Sequence, residues 1–163
     1  MVFYYLISIL LLFPLSIIAQ TSEQKIDIVQ SYLDAAFQKD IETQRSHMSE
    51  QIIDYHPTIL AAPAKGIDEL LMGWNNTMQP LDSVNYERTG SGLVRLTDGV
   101  LYGEWVLETG MVHMKFPNTK EWIKMQMVGL YKIEKGKIIE VRNFGNMMDL
   151  YQQMGYTLTP PGK

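Results

Sequence analysis

Two asparagines stand where a strand runs into a helix, in Arg142-Asn143-Phe144-Gly145-Asn146. A carboxylate at such a place, facing a pocket, can take a proton from a bound substrate. Asparagine has no titratable group and cannot act as a general base. It can donate and accept hydrogen bonds, so Asn143 can orient a carbonyl or hydroxyl of a ligand. By strand alternation it shares a face with Ile139 and Val141, the expected inward face. The second candidate is His56 in Asp54-Tyr55-His56-Pro57, a residue type that shuttles protons near neutral pH. Asp54 lies on the same strand face and Tyr55 on the other. The bland readings are a polar strand end satisfied by backbone groups and a loop histidine fixing the turn before Pro57.

A third set lies in "GEWVLETGMVHM". Glu104 and Glu108 share one parity there and His113 the other, with Gly110 able to admit a bulge. The expectation is that these glutamates are solvent-facing strand charge. Trp105, Trp122 and Tyr102 are strand aromatics, suited first to core or interface and second to a ligand box. Trp74 lies on the apolar face of a helix. Met125, Met127, Met147 and Met148 suit a core or a soft pocket wall. The expected ligand contacts are Asn143, His56, Trp74, Tyr55, Trp105 and Met127. The three histidines, His47, His56 and His113, lack metal-ligand spacing, and no metal is expected. No nucleophile-elbow serine or phosphate loop is present.

The elements that must position these residues follow from pattern. Thr21 and Gln24 have capping-box spacing, and Ile26, Val29, Leu33 and Phe37 recur at helical period, so a helix is expected over about 22–38. A short helix over 40–49 follows, then a strand "QIIDYHP" stopped by Pro57 and a loop "LAAPAKG". Ile67, Leu70, Leu71, Trp74 and Met78 form one face of a third helix, ended by Pro80. From Ser83 the period changes to two, with breaks expected at Gly90, Gly92, Gly99, Pro117-Asn118 and Lys135-Gly136. "TGSGL" is expected to be a turn. Asn146 caps a last helix, with Gly155 at its C′ position. The class is α+β: a curved antiparallel sheet packed on N-terminal helices and enclosing a pocket.

The first nineteen residues carry no charged side chain and end in Ile17-Ile18-Ala19 before Gln20. The pattern is that of a secretory signal peptide, so 1–19 is expected to be removed, leaving 20–163 as one domain without a stable membrane anchor. The protein is then exported, to the periplasm or the cell exterior. The net charge of −4 and the lack of a Lys/Arg cluster argue against nucleic acid as a partner. With no cysteine, stability must come from packing alone.

The order helix, helix, "IIDYHP", "KGIDELLMGW", long strands and "YKIEKGKIIEVRNFGNMMDLYQQMG" resembles the SnoaL-like, polyketide-cyclase-like branch of the nuclear-transport-factor-2-like superfamily, over about residues 22–156. The resemblance implies a cone-shaped α+β barrel with an apolar cavity, no cofactor, and homodimers through the sheet. The family's pocket acid falls on Asn143 and its second acid on Asn146. The preceding His or Glu falls on Val141, and the usual Trp on Arg142. Three readings stay open. The chain binds a small, mostly apolar molecule. Or it is a cyclase, isomerase or hydratase for a carbonyl compound or epoxide, with His56 or a strand glutamate as base and Asn143 holding the substrate oxygen. Or it is a structural module using its outer sheet face.

Overall fold

Long strands dominate the second half of the chain because β-branched, aromatic and methionine side chains alternate there with polar ones. The computed structural model describes residues 20–55, 62–117, 119–157 and 159. Helices α1 (Ser22–Phe37) and α2 (Ile41–His47) lead into strand β1 (Met48–Tyr55). A two-residue strand β2 (Ala64–Lys65) and helix α3 (Ile67–Met78) follow. Strands β3 (Ser83–Leu96), β4 (Gly103–Lys115), β5 (Ile123–Glu134) and β6 (Lys137–Gly145) form a meander, and α4 (Met147–Gln153) closes the described chain. The expected signal segment 1–19 and His56 lie outside the described residues.

The helix starts follow local capping rules. Thr21 and Gln24 make the reciprocal capping box at α1. Asp40 caps α2 and Asn146 caps α4 through their side chains. Gly155, the residue after the α4 C-cap, takes a left-handed φ of 88°.

The six strands lie in the order β2-β1-β6-β5-β4-β3. All neighbours are antiparallel except β1 and β6, which are parallel, so the sheet is mixed rather than purely antiparallel. It is curved but open: β2 and β3 are its edges, and it does not close into a barrel. Strand β1 begins three residues earlier than its sequence pattern indicates. Part of the expected loop "LAAPAKG" pairs with it as β2.

Two bulges decide which side chains face the helices. On β3 the register shifts between Arg88 and Gly90. The expected breaks at Gly90 and Gly92 and the turn at "TGSGL" do not occur; β3 runs through them. On β6 the register shifts so that Ile138 opposes Ile133 while Glu140 opposes Lys132. Ile138 therefore takes the fully buried position that alternation alone gives to Ile139. A bulge resets parity because two residues on one strand oppose one on the other.

The inner face packs on the helices through Val106, Val112 and Met114 of β4, Ile123, Met127 and Tyr131 of β5, Ile138 and Val141 of β6, and Ile52 of β1. The helices contribute Val29, Tyr32, Leu33 and Phe37 from α1 and Ile67, Leu70, Leu71 and Met78 from α3. At two places a tyrosine ring lies across a glycine on the sheet. A Cβ on Gly110 would stand 2.2 Å from the Tyr86 ring, and one on Gly129 2.5 Å from the Tyr131 ring.

Gln44 is the buried residue of α2, with no exposure, and neither amide atom has a partner among the described residues. A buried unpaired amide opposes folding. The substitution Gln44→Met is expected to raise stability by about 1–3 kcal/mol in denaturant melts; a loss of stability would mean that the amide is satisfied by an internal water. His47 accepts or donates through Nε2 to Ser31 Oγ at 2.9 Å. Burial, reinforced by Lys137, lowers its pKa. The unfolded chain then binds the proton more readily, so stability is complete above the ordinary histidine pKa and declines as pH falls through it toward the folded value. The variant His47→Gln is expected to flatten the stability profile below about pH 6.5, read from urea midpoints at a series of pH values.

Candidate functional site

The inner face of the sheet carries two polar groups, separated by Gly129. Side chains opposite one another in register share a face. The row Ser91, Glu108, Gly129, Asn143 thus runs across β3, β4, β5 and β6. The next row holds Val106, Tyr131, Val141 and, on β1, Asp54.

The first group centres on Glu108, which has no exposed surface. This corrects the expectation of a solvent-facing charge. The physical reason is the bulge beside Thr89: it puts both Arg88 and Ser91 on the inner face, three residues apart. Arg88 Nε donates to Glu108 Oε1 at 2.6 Å, and its terminal nitrogen donates to Asp34 Oδ1 of α1 at 2.9 Å. Ser91 Oγ donates to Glu108 Oε2 and accepts from Gln30 Nε2 at 3.0 Å. Tyr86 O–H reaches Glu108 Oε1 at 3.4 Å. Desolvation works against the Arg88 charge, but its bonds to Glu108 and Asp34 outweigh that and raise its pKa. Burial, then the Glu108 charge, pushes the Tyr86 phenol up, so it stays a donor. Both oxygens of Glu108 are engaged, which makes this group a cross-link from α1 to β3 and β4.

The second group centres on Asn143, about 10 Å from Glu108 by two strand spacings. Tyr131 O–H donates to Asn143 Oδ1 at 3.2 Å. Tyr131 is buried and its ring meets Tyr32 edge-on, with centroids 6.1 Å apart. Burial raises the pKa of both phenols, and the charge of Asp54 raises each further. Both remain protonated donors at neutral pH. With Oδ1 taken, the Asn143 amide keeps its N–H donors, and no acceptor for them occurs among the described residues. Asp54 stands on the same face as Ile52, opposite Val141 and one row from Asn143.

The other expected contacts divide. Met127 is buried on the inner face, opposite Gly110 and Gly145. Trp74 is half-buried; its indole N–H donates to Ala36 O at 3.2 Å and its ring meets Phe37, which stacks on Tyr86. Tyr55 and Trp105 do not join them. Tyr55 opposes Arg142 on the outer face, under the guanidinium at 3.7 Å. Trp105 opposes Val94, outside the main core, with its indole N–H on Leu101 O and Lys132 over its ring. Glu104 pairs with Lys25 and Arg95 and is partly exposed, and His113 meets Glu87 on the outer face. Asn146 is used as a helix cap. Among the described residues, no three His, Cys, Asp or Glu side chains could hold a metal ion. A separate surface cleft of about 360 Å³ is lined by Thr119, Lys120, Glu121, Trp122, Ile123 and Gln153.

No family model matches the sequence, and no curated protein matches it. Solved structures do. An epoxide hydrolase of the LEH-like kind from M. tuberculosis is 15% identical, covers 80% of this chain and 89% of its own, and superposes with a TM-score of 0.61. A SnoaL-like polyketide-cyclase candidate from Jannaschia sp. CCS1 gives 13% identity, 88% and 97% coverage, and 0.67. A protein from Catenulispora acidiphila with a ketosteroid isomerase-like fold, in complex with trimethylamine, gives 14%, 82% and 98%, and 0.65. The fold is thus the SnoaL-like, nuclear-transport-factor-2-like fold.

Removing Arg88 alone strands a buried carboxylate. Arg88→Met is expected to destabilise by about 3–5 kcal/mol. The double change Arg88→Met/Glu108→Leu is expected to recover most of that loss in the same melts, since it removes both charges from the apolar interior.

Proposed function

We propose that this chain, which has the SnoaL-like fold, is an exported protein that holds a small, mostly apolar molecule against the inner face of its sheet. One observation carries the reading: Asn143 sits on that face with its oxygen committed to Tyr131 and its amide hydrogens available to a ligand oxygen. Around it are apolar and aromatic surfaces from Met127, Tyr32 and Tyr131, the mix expected of a ligand site with few placed polar groups. Glu108 is deep in the interior, yet its oxygens are spent on Arg88, Ser91 and Tyr86, so it supports the wall rather than the chemistry. Export rests on the signal-like first nineteen residues. The outer face, with Phe144 exposed beside Val128, is the surface proposed for a homodimer.

A second reading is favoured by Asp54. It gives the inner face an ionisable group one row from Asn143, on β1 instead of at the end of β6. In that reading Asp54 takes a proton from a bound carbonyl compound, or from water attacking an epoxide, while Asn143 and Tyr131 hold the oxygen.

Native mass spectra of the protein, purified gently from its own host, are expected to show a released small molecule of constant mass. Asn143→Leu is expected to weaken retention about tenfold, the worth of one hydrogen bond near 1.4 kcal/mol. Asp54→Asn separates the readings. A binder keeps its cargo in that variant. An enzyme loses turnover and accumulates bound substrate. An interior empty in the native protein, and unchanged by Asn143→Leu, would refute retention of a ligand there.

A further inference from the structure

We propose that Gln20 is a modification site: freed as the N-terminal residue of the exported protein, it closes into pyroglutamate. The inference rests on the export reading above, with cleavage after Ala19. An N-terminal glutamine carries its carboxamide carbon where the α-amino nitrogen can reach it in a five-membered ring. The amine nitrogen attacks Cδ, the N–Cδ bond forms and the Cδ–Nε2 bond breaks. A proton passes from the attacking nitrogen to the departing one, which leaves as ammonia. Nothing is oxidised or reduced, and no co-reactant is needed.

The surroundings of Gln20 favour the product. Gln20 directly precedes Thr21, the N-cap of the 16-residue helix α1. Cleavage would leave an α-ammonium charge at the positive end of the helix dipole, where cations are disfavoured. Glu23 in the first turn of α1 offsets part of that charge, and Lys25 is already paired with Glu104. Lactam formation removes the new charge. It also keeps the oxygen that ties the N-terminus to the sheet. Gln20 Oε1 accepts the Gly136 N–H at 3.1 Å, in the turn between β5 and β6. That oxygen becomes the lactam carbonyl and remains an acceptor. The atom that leaves is Nε2, which makes no hydrogen bond among the described residues. The reaction therefore discards the unused half of the amide and keeps the half that the hairpin holds.

The test is the intact mass and N-terminal peptide mass of the mature protein from its own host, beside the variant Gln20→Asn. The shorter asparagine side chain would have to close a strained four-membered ring and keeps its amine. The expected result is a chain beginning at residue 20 that is lighter by one ammonia and resists aminopeptidase, while the variant has its full mass and is trimmed. A chain beginning at Gln20 with its full mass and a free amine overturns the cyclisation and leaves export standing. A chain beginning at another residue near Gln20 overturns the cyclisation alone, and one that keeps Met1 and the apolar segment overturns both.

Discussion

A carboxylate with no exposed surface has to be neutralised where it stands, and Glu108 imposes that condition on three elements at once. Transfer of a carboxylate from water to an apolar interior is opposed by several kcal/mol unless charge and hydrogen bonds answer it. Here Arg88, Ser91 and Tyr86 answer it from one neighbouring strand. They can do so only because β3 carries a bulge that turns Arg88 and Ser91 to the same side. Asp34 and Gln30 then join from α1, four residues apart and so on one helix face. The position of α1 on the sheet is thereby fixed by polar geometry as well as by the apolar contacts of Val29, Leu33 and Phe37.

The two glycines on the inner face have a related role. Gly110 and Gly129 remove the side chains that would hold Tyr86 and Tyr131 off the sheet. Each ring can then lie flat and direct its hydroxyl at a neighbour, Glu108 in one case and Asn143 in the other. The same device serves opposite ends. Tyr86 helps to saturate a carboxylate, which leaves it chemically quiet. Tyr131 occupies one side of an amide whose other side has no partner among the described residues.

How far these features could be read from sequence depends on whether they are local. Thr21 with Gln24, Asn146 and Gly155 act through neighbours in the chain, so capping rules place them without knowledge of the fold. The bulges have no comparable signature. Gly90-Ser91-Gly92 has the composition of a turn, and only pairing with Thr109, Glu108 and Leu107 makes it strand. The misreading of Glu108 has a different source. Both parities of β4 are apolar, with Trp105, Leu107 and Met111 on one and Val106, Val112 and Met114 on the other. Alternation then separates the faces without saying which is inner. Asn143 was legible because no bulge falls between it and Val141, whereas Ile139 lies on the far side of one. The alignment of Asp54 with Tyr131 in one row runs from β1 to β5 across β6, and no sequence spacing announces it.

The resemblance to SnoaL-like proteins puts an acid where this chain has Asn143, and Asp54 supplies a physical reason why the amide is compatible with this interior. Two carboxylates one row apart on the inner face of the sheet would repel, which disfavours ionising both. An amide at position 143 avoids that conflict with Asp54, which opposes Val141 one row away. It also settles the orientation of the group. Tyr131 is buried and its phenol is held far from ionisation, so it acts as donor to its partner, and Asn143 answers with its carbonyl oxygen. The amide hydrogens are directed away from the phenol as a consequence. Asparagine at this position therefore changes what the inner face presents: a carboxylate there would offer acceptors and repel anions, whereas the amide, held by Tyr131, offers donors.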